Sequence, residues 1–235
     1  MATQHKKLAG IVFVLAAAAC QPVPPPVVTP PPAVAPPAPV RPLPPGGAAA
    51  STVVPPLGVD GVRVTPNRGL STDEHIWNFR IALNVAALNC RSYTWDEIGR
   101  NYNQMLGSYK NTLSRVNKAV DAQYRKEHGG RSGLRVRDTQ TTQLYNYFAL
   151  PTVKSEFCNA ALQKTREILA LAPVTSEGFR TYAYSGLNDL DGIFINFFNA
   201  YAQYEIDVAA WDAQYAPTPT PTSTFTQPAT DTIGE

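Results

Sequence analysis

The chain has 235 residues, with 20 Lys and Arg against 18 Asp and Glu, a net charge of +2, and 22 prolines. So small a basic surplus does not match the dense positive surface that a phosphate backbone requires, and nucleic acid is excluded as a partner. The prolines gather toward the ends and leave a central stretch the size of one ordinary domain.

The first 19 residues carry His5, Lys6 and Lys7, then an apolar run from Leu8, then Ala17, Ala18 and Ala19, with no acidic residue. This is the order of a secretory signal peptide. An apolar run of about a dozen residues falls short of the roughly 18 that span a bilayer, so no mature transmembrane helix is expected. Small side chains lead directly into Cys20, and the segment resembles a bacterial lipoprotein precursor, whose lipobox ends in the cysteine that becomes the acylated N-terminus. Ala17 stands where lipoboxes usually carry Leu, and Leu15 lies two residues further back. The resemblance implies lipidation of Cys20 and a membrane held through that lipid. Cleavage after Ala19 that leaves Cys20 a free thiol is the other reading. Gln21 follows the cysteine in place of the aspartate that marks inner-membrane retention, which implies attachment to the outer membrane facing the periplasm. A soluble periplasmic or secreted chain is the alternative.

From residue 21 to 56 the composition is proline, valine and alanine, with Arg41 as the only charge. Proline fixes φ and lacks the N–H, so an extended polyproline II chain is expected. At about 3.1 Å per residue it would reach on the order of 110 Å. Residues 20–70 are accordingly read as a disordered, lipid-anchored linker. A ligand for a proline-recognition domain is the alternative use of such a stretch.

Residues 71–215 are expected to form a helical bundle. Ser71 and Glu74 make a capping box, followed at helical spacing by Ile76, Phe79, Leu83, Ala86 and Cys90. Thr94 and Glu97 repeat the pattern and open a long second helix through Ile98, Tyr102, Met105, Tyr109, Leu113, Val116, Val120 and Tyr124, ending near His128. A third stretch begins near Asp138 and meets Pro151. The next carries Phe157, Ala161, Thr165 and Ile168 to about Leu171. The last runs from Phe179 to Tyr215, with Gly178, Gly186 and Gly192 weakening it and marking a bend. No period-two run of β-branched residues appears, so the fold class is all-α, an antiparallel bundle of four or five helices. Residues 216–235 alternate Thr with Pro and are read as a disordered tail.

An exported protein with three cysteines must account for the odd one. Acylation of Cys20 does so, leaving Cys90 and Cys158 as a disulfide pair in an oxidising compartment. Closing a loop of about 69 residues stabilises by roughly 4 kcal/mol on the chain-entropy estimate. Two buried free cysteines are the alternative. The helical part also resembles a group of exported Gram-negative proteins without an assigned activity, through LNVAALNCR at 83–91, Tyr102 with Asn103, and Phe157 with Cys158. That resemblance implies export and the Cys90–Cys158 pairing, and no function.

No catalytic residue, metal site or cofactor is assigned, and the chain is read as not an enzyme. Neither domain cysteine has a ligand partner at metal spacing. Asp189 and Asp191 are spaced like part of a calcium loop, but Leu187 and Phe198 would be its first and twelfth ligands, so an EF-hand is excluded and a solvated turn is expected. His75 and His128 stand alone. Asp73, Glu74, Asp96 and Glu97 lie in first turns, where they offset the helix dipole. A wall-active enzyme would need a groove with two facing carboxylates.

Charge is unevenly placed. Residues 100–137 hold nine Lys or Arg against Asp121 and Glu127, while residues 177–235 hold eight acids against Arg180. The expected arrangement has the basic and acidic helices side by side, neutralising one another. The other has Arg125, Lys126, Arg131, Arg135 and Arg137 as an exposed tip for anionic lipid, lipopolysaccharide phosphate or an acidic envelope protein. The function expected is an interaction or scaffold module. The alternative is a carrier that holds an apolar small molecule among Phe194, Phe197, Tyr201 and Tyr204, which requires a cavity there.

Overall fold

The capping box forms as expected: the Ser71 hydroxyl accepts from the Glu74 amide, and Glu74 Oε2 accepts from the Ser71 amide at 2.8 Å. It opens α1 (Thr72–Asn89) in a computed structural model that describes residues 37–171 and 175–216. The expectations for the signal segment, Cys20 and the C-terminal tail lie outside the described residues. After α1 come α2 (Glu97–Ser108), α3 (Lys110–His128), α4 (Gly130–Phe148), α5 (Lys154–Leu169) and α6 (Ser176–Tyr215). The fold is all-α, and among the described residues the only β feature is an isolated bridge between Leu57 and Arg63. No helix among them is long and apolar enough to cross a membrane.

α1 is the central helix. It packs against each of the other five, which is why Ile81, Ala82 and Val85 are buried along with the seam of Ile76, Phe79, Leu83 and Ala86. A helix apolar on most of its circumference belongs inside. Cys90, which caps its C-terminus, is joined to Cys158 of α5 by a buried disulfide with a Cα–Cα distance of 5.6 Å.

The expected long second helix is two. At Tyr109 the backbone leaves helical geometry (φ −110°, ψ 18°) just after Gly107 and Ser108, both weak helix formers. The apolar seam runs unbroken through the kink because Tyr109 stays buried and stacks on Phe179 at 4.3 Å. The kink lets α2 pack on α5 while α3 packs on α4. The cap expected of Thr94 is absent: residues 93–95 make a 3₁₀ turn, Thr94 is exposed, and Arg166 holds Glu97 in a two-armed ion pair at 2.8 Å per arm.

α4 begins at Gly130, well before Asp138. Gly129 (φ +77°) and Gly130 (φ +34°) take the reversal, a conformation that costs glycine little. Gly133 then lets α4 cross close to α3, where a Cβ would lie 2.2 Å from the Tyr124 carbonyl oxygen. α6 is continuous over 40 residues, about 60 Å at 1.5 Å per residue. The helix is not interrupted at its glycines; Gly186 admits the Phe79 ring, which would lie 2.7 Å from an added Cβ. Asp189 and Asp191 are therefore helical and not in a turn, and Asp191 is buried.

Residues 39–70, expected to be linker, lie against the bundle. Trp211 Nε1–H donates to the Pro39 carbonyl at 2.8 Å, Arg41 pairs with Asp212 at 2.7 Å, the Tyr201 hydroxyl donates to the Ala49 carbonyl at 2.9 Å, and Ala48 joins the core. Extended proline-rich backbone keeps its carbonyls free, and the donors of α6 take them. Composition reveals the free acceptors but not the distant donors that meet them.

Candidate functional site

The α3–α4 hairpin gathers four cations at one end. Arg125 and Lys126 lie in the last turn of α3, and Arg131 and Arg135 in the first two turns of α4; all four are exposed, and none pairs with an acid among the described residues. Cations in the last turn of α3 favour its dipole, whereas Arg131 in the first turn of α4 opposes it. Helix stability therefore accounts for Arg125 and Lys126 but not for Arg131.

Arg137 parts from the other four. It forms an ion pair with Asp121, donates to Asn117 Oδ1 at 2.7 Å, and lies 5.1 Å from the centre of the Trp77 ring, with its side chain 13% exposed. It binds α4 to α3 and α1 and is not free for a partner. The expected neutralisation between basic and acidic helices is absent too. Among the described residues no ion pair joins α3 to α6; Asp189 pairs with Lys164 at 2.7 Å and Asp212 with Arg41. Arg115 reaches α6 only through the Ser176 hydroxyl, at 2.9 Å. α1 packs against both helices.

Beside the tip lies a polar cleft of about 540 Å³, walled by the 64–70 loop, the start of α1, α3 and α4. Thr65 (4% exposed), Tyr124 (7%) and Glu74 (8%) are its most buried polar groups. The Ser71 hydroxyl donates to Gln123 Oε1 at 2.8 Å, Gln123 Nε2 donates to Glu74 Oε2 at 3.1 Å, and the Tyr124 hydroxyl donates to Gln140 Oε1. Burial works to raise the Glu74 carboxyl, but hydrogen bonds from Ser71 and Gln123 outweigh it and hold the carboxyl below its ordinary value. Burial, with the Glu74 charge added, pushes the Tyr124 phenol well up. The cleft thus presents an ionised acceptor beside a protonated phenol. Glu127 also lines it.

The 64–70 wall is fixed from α6. Asp191 (6% exposed) accepts from Thr65 Oγ1 at 2.9 Å, Asn67 Nδ2 at 2.7 Å and the Tyr147 hydroxyl at 2.8 Å, and Asn78 Nδ2 donates to Asn67 Oδ1 at 3.1 Å. Burial and the Asp191 charge push the Tyr147 phenol up.

The interior considered for an apolar guest is filled by rings. Phe194 is fully buried against Tyr147, Phe148 and Phe157, with centroids at 4.5, 5.5 and 5.5 Å, and Tyr201 packs between Phe197 and Tyr204. His75 Nδ1–H donates to the Ser71 carbonyl at 3.1 Å and its ring stacks on Tyr184, while His128 lies beside Glu127. The structure thus brings four of the five predicted cations to one surface and joins the two domain cysteines. The cleft was missed from sequence: the capping box marked Glu74, but nothing local links it to Gln123 or Gln140.

No family model, curated protein or solved structure matches the chain.

Proposed function

We propose that the chain is an exported, lipid-anchored interaction module of a Gram-negative envelope, engaging an anionic component through the end of the α3–α4 hairpin. The observation that carries this is the cluster of Arg125, Lys126, Arg131 and Arg135, exposed and without an acidic partner among the described residues. At an ionic strength near 0.1 M charges are screened over about 10 Å, so the tip acts on a surface it touches. Phosphorylated lipid, lipopolysaccharide phosphate and acidic envelope proteins share the chemistry it recognises. Acylation of Cys20 supplies the anchor, on the outer membrane facing the periplasm, and the Cys90–Cys158 bond supports an oxidising compartment.

The test uses the full chain carrying Cys20→Ser, which removes the acylation site, with vesicles of phosphatidylglycerol or of phosphatidylcholine. Binding confined to the anionic vesicles, lost at high salt and lost in Arg131→Glu/Arg135→Glu, is the expected result. Equal binding to both vesicles, or binding that the double charge reversal leaves intact, contradicts the proposal.

A further inference from the structure

The polar cleft has a ligand chemistry of its own. Its volume, about 540 Å³, falls within the roughly 300–1,000 Å³ of small-molecule sites. An apolar guest would cover an ionised carboxylate without offering it a donor, a costly burial. An anionic guest would need an uncommitted cation, and the two arginines of the lining are taken, Arg68 by Asp60 and Arg137 by Asp121. The remaining class is neutral and carries groups that both donate and accept.

The α4 side of the lining suits such a guest. Gln140, Thr141 and Gln143 line the cleft together with Gln123 and Asn78. Each carboxamide offers two donors and one acceptor and each hydroxyl does both, the pattern that complements adjacent sugar hydroxyls or an acetamido group. The Gln140 oxygen takes the Tyr124 hydroxyl, which aims its amide donors elsewhere, and Gln143 is exposed with its amide free of any described partner. Glu74 supplies a buried carboxylate acceptor to the lining. We infer that this cleft binds a neutral saccharide, at a site separate from the cationic tip and independent of the function proposed above.

The experiment is calorimetric titration of the full Cys20→Ser chain with two probes, N,N′-diacetylchitobiose and maltose, and with inorganic phosphate as the anionic control. Saturable binding of at least one disaccharide, undiminished by added phosphate, is expected. The Gln140→Ala/Gln143→Ala variant should weaken it by about tenfold or more, as the loss of a hydrogen bond of ordinary strength implies. Gln143→Ala alone, at an exposed side chain, keeps the fold and should weaken binding in the same direction; an unchanged thermal midpoint shows that the loss is local. Silence from both disaccharides overturns the inference. So does disaccharide binding that neither variant weakens, or phosphate binding that the double variant abolishes.

Discussion

Asp191 has no cationic partner among the described residues, yet it is buried, and its three neutral donors come from two separate parts of the chain, the 64–70 loop and α4. Asp191→Ala would leave Thr65, Asn67 and Tyr147 without their acceptor, and should lower the unfolding free energy by about 3 kcal/mol in urea titrations. Asp191→Asn keeps one acceptor and should cost less. Limited proteolysis should then cut within residues 64–70 more readily in the alanine variant. Glu74 gives a pH dependence whose sign is fixed. Its folded pKa lies below the ordinary 4.5, so its contribution is complete above that value and is lost as pH falls through the folded pKa. Urea midpoints measured downward from pH 5 should fall, and Glu74→Gln should flatten the fall. The sequence made Glu74 legible through the capping box but placed Asp191 in a solvated turn, because Asn, Asp and Gly in succession favour turns locally. Its burial depends on Thr65 and Asn67, far away in the chain.

Among the helices, glycine separates close crossing from mere tolerance. Gly133→Ala would drive a methyl into the Tyr124 carbonyl, where only backbone can give way, and should destabilise by about 2 kcal/mol or more. Gly192→Ala, in the middle of α6 with nothing within 4 Å of the added carbon, should stabilise by about 0.5–1 kcal/mol. Thermal melts of the two variants should move in opposite directions. The helical period gave the bounds of α1 closely, since its cap and its seam agree. The break at Tyr109 was hidden because a buried tyrosine keeps the seam intact across it. The early start of α4 was hidden because Gly129, Gly130 and Gly133 are weak helix formers, yet they bring α4 against α3.

At the scale of the molecule, the Cys90–Cys158 bond ties the central helix to α5, and its reduction should lower stability by up to about 4 kcal/mol, read as a fall in the thermal midpoint with added reductant. The all-α class and this pairing were legible because apolar spacing and cysteine count are properties of the whole chain. The packing of residues 39–70 on α6 and the separation of basic from acidic helices were not, since both depend on which surfaces meet. The proposed function joins an anchor at Cys20 to a cationic surface on the bundle, and the anchor is the more direct to test. Intact mass of the chain recovered from the membrane fraction of a Gram-negative host, before and after reduction, addresses it. The expected product is a chain that starts at Cys20, carries added acyl mass, and gains two protons on reduction. A soluble chain with an unmodified Cys20 thiol would contradict it.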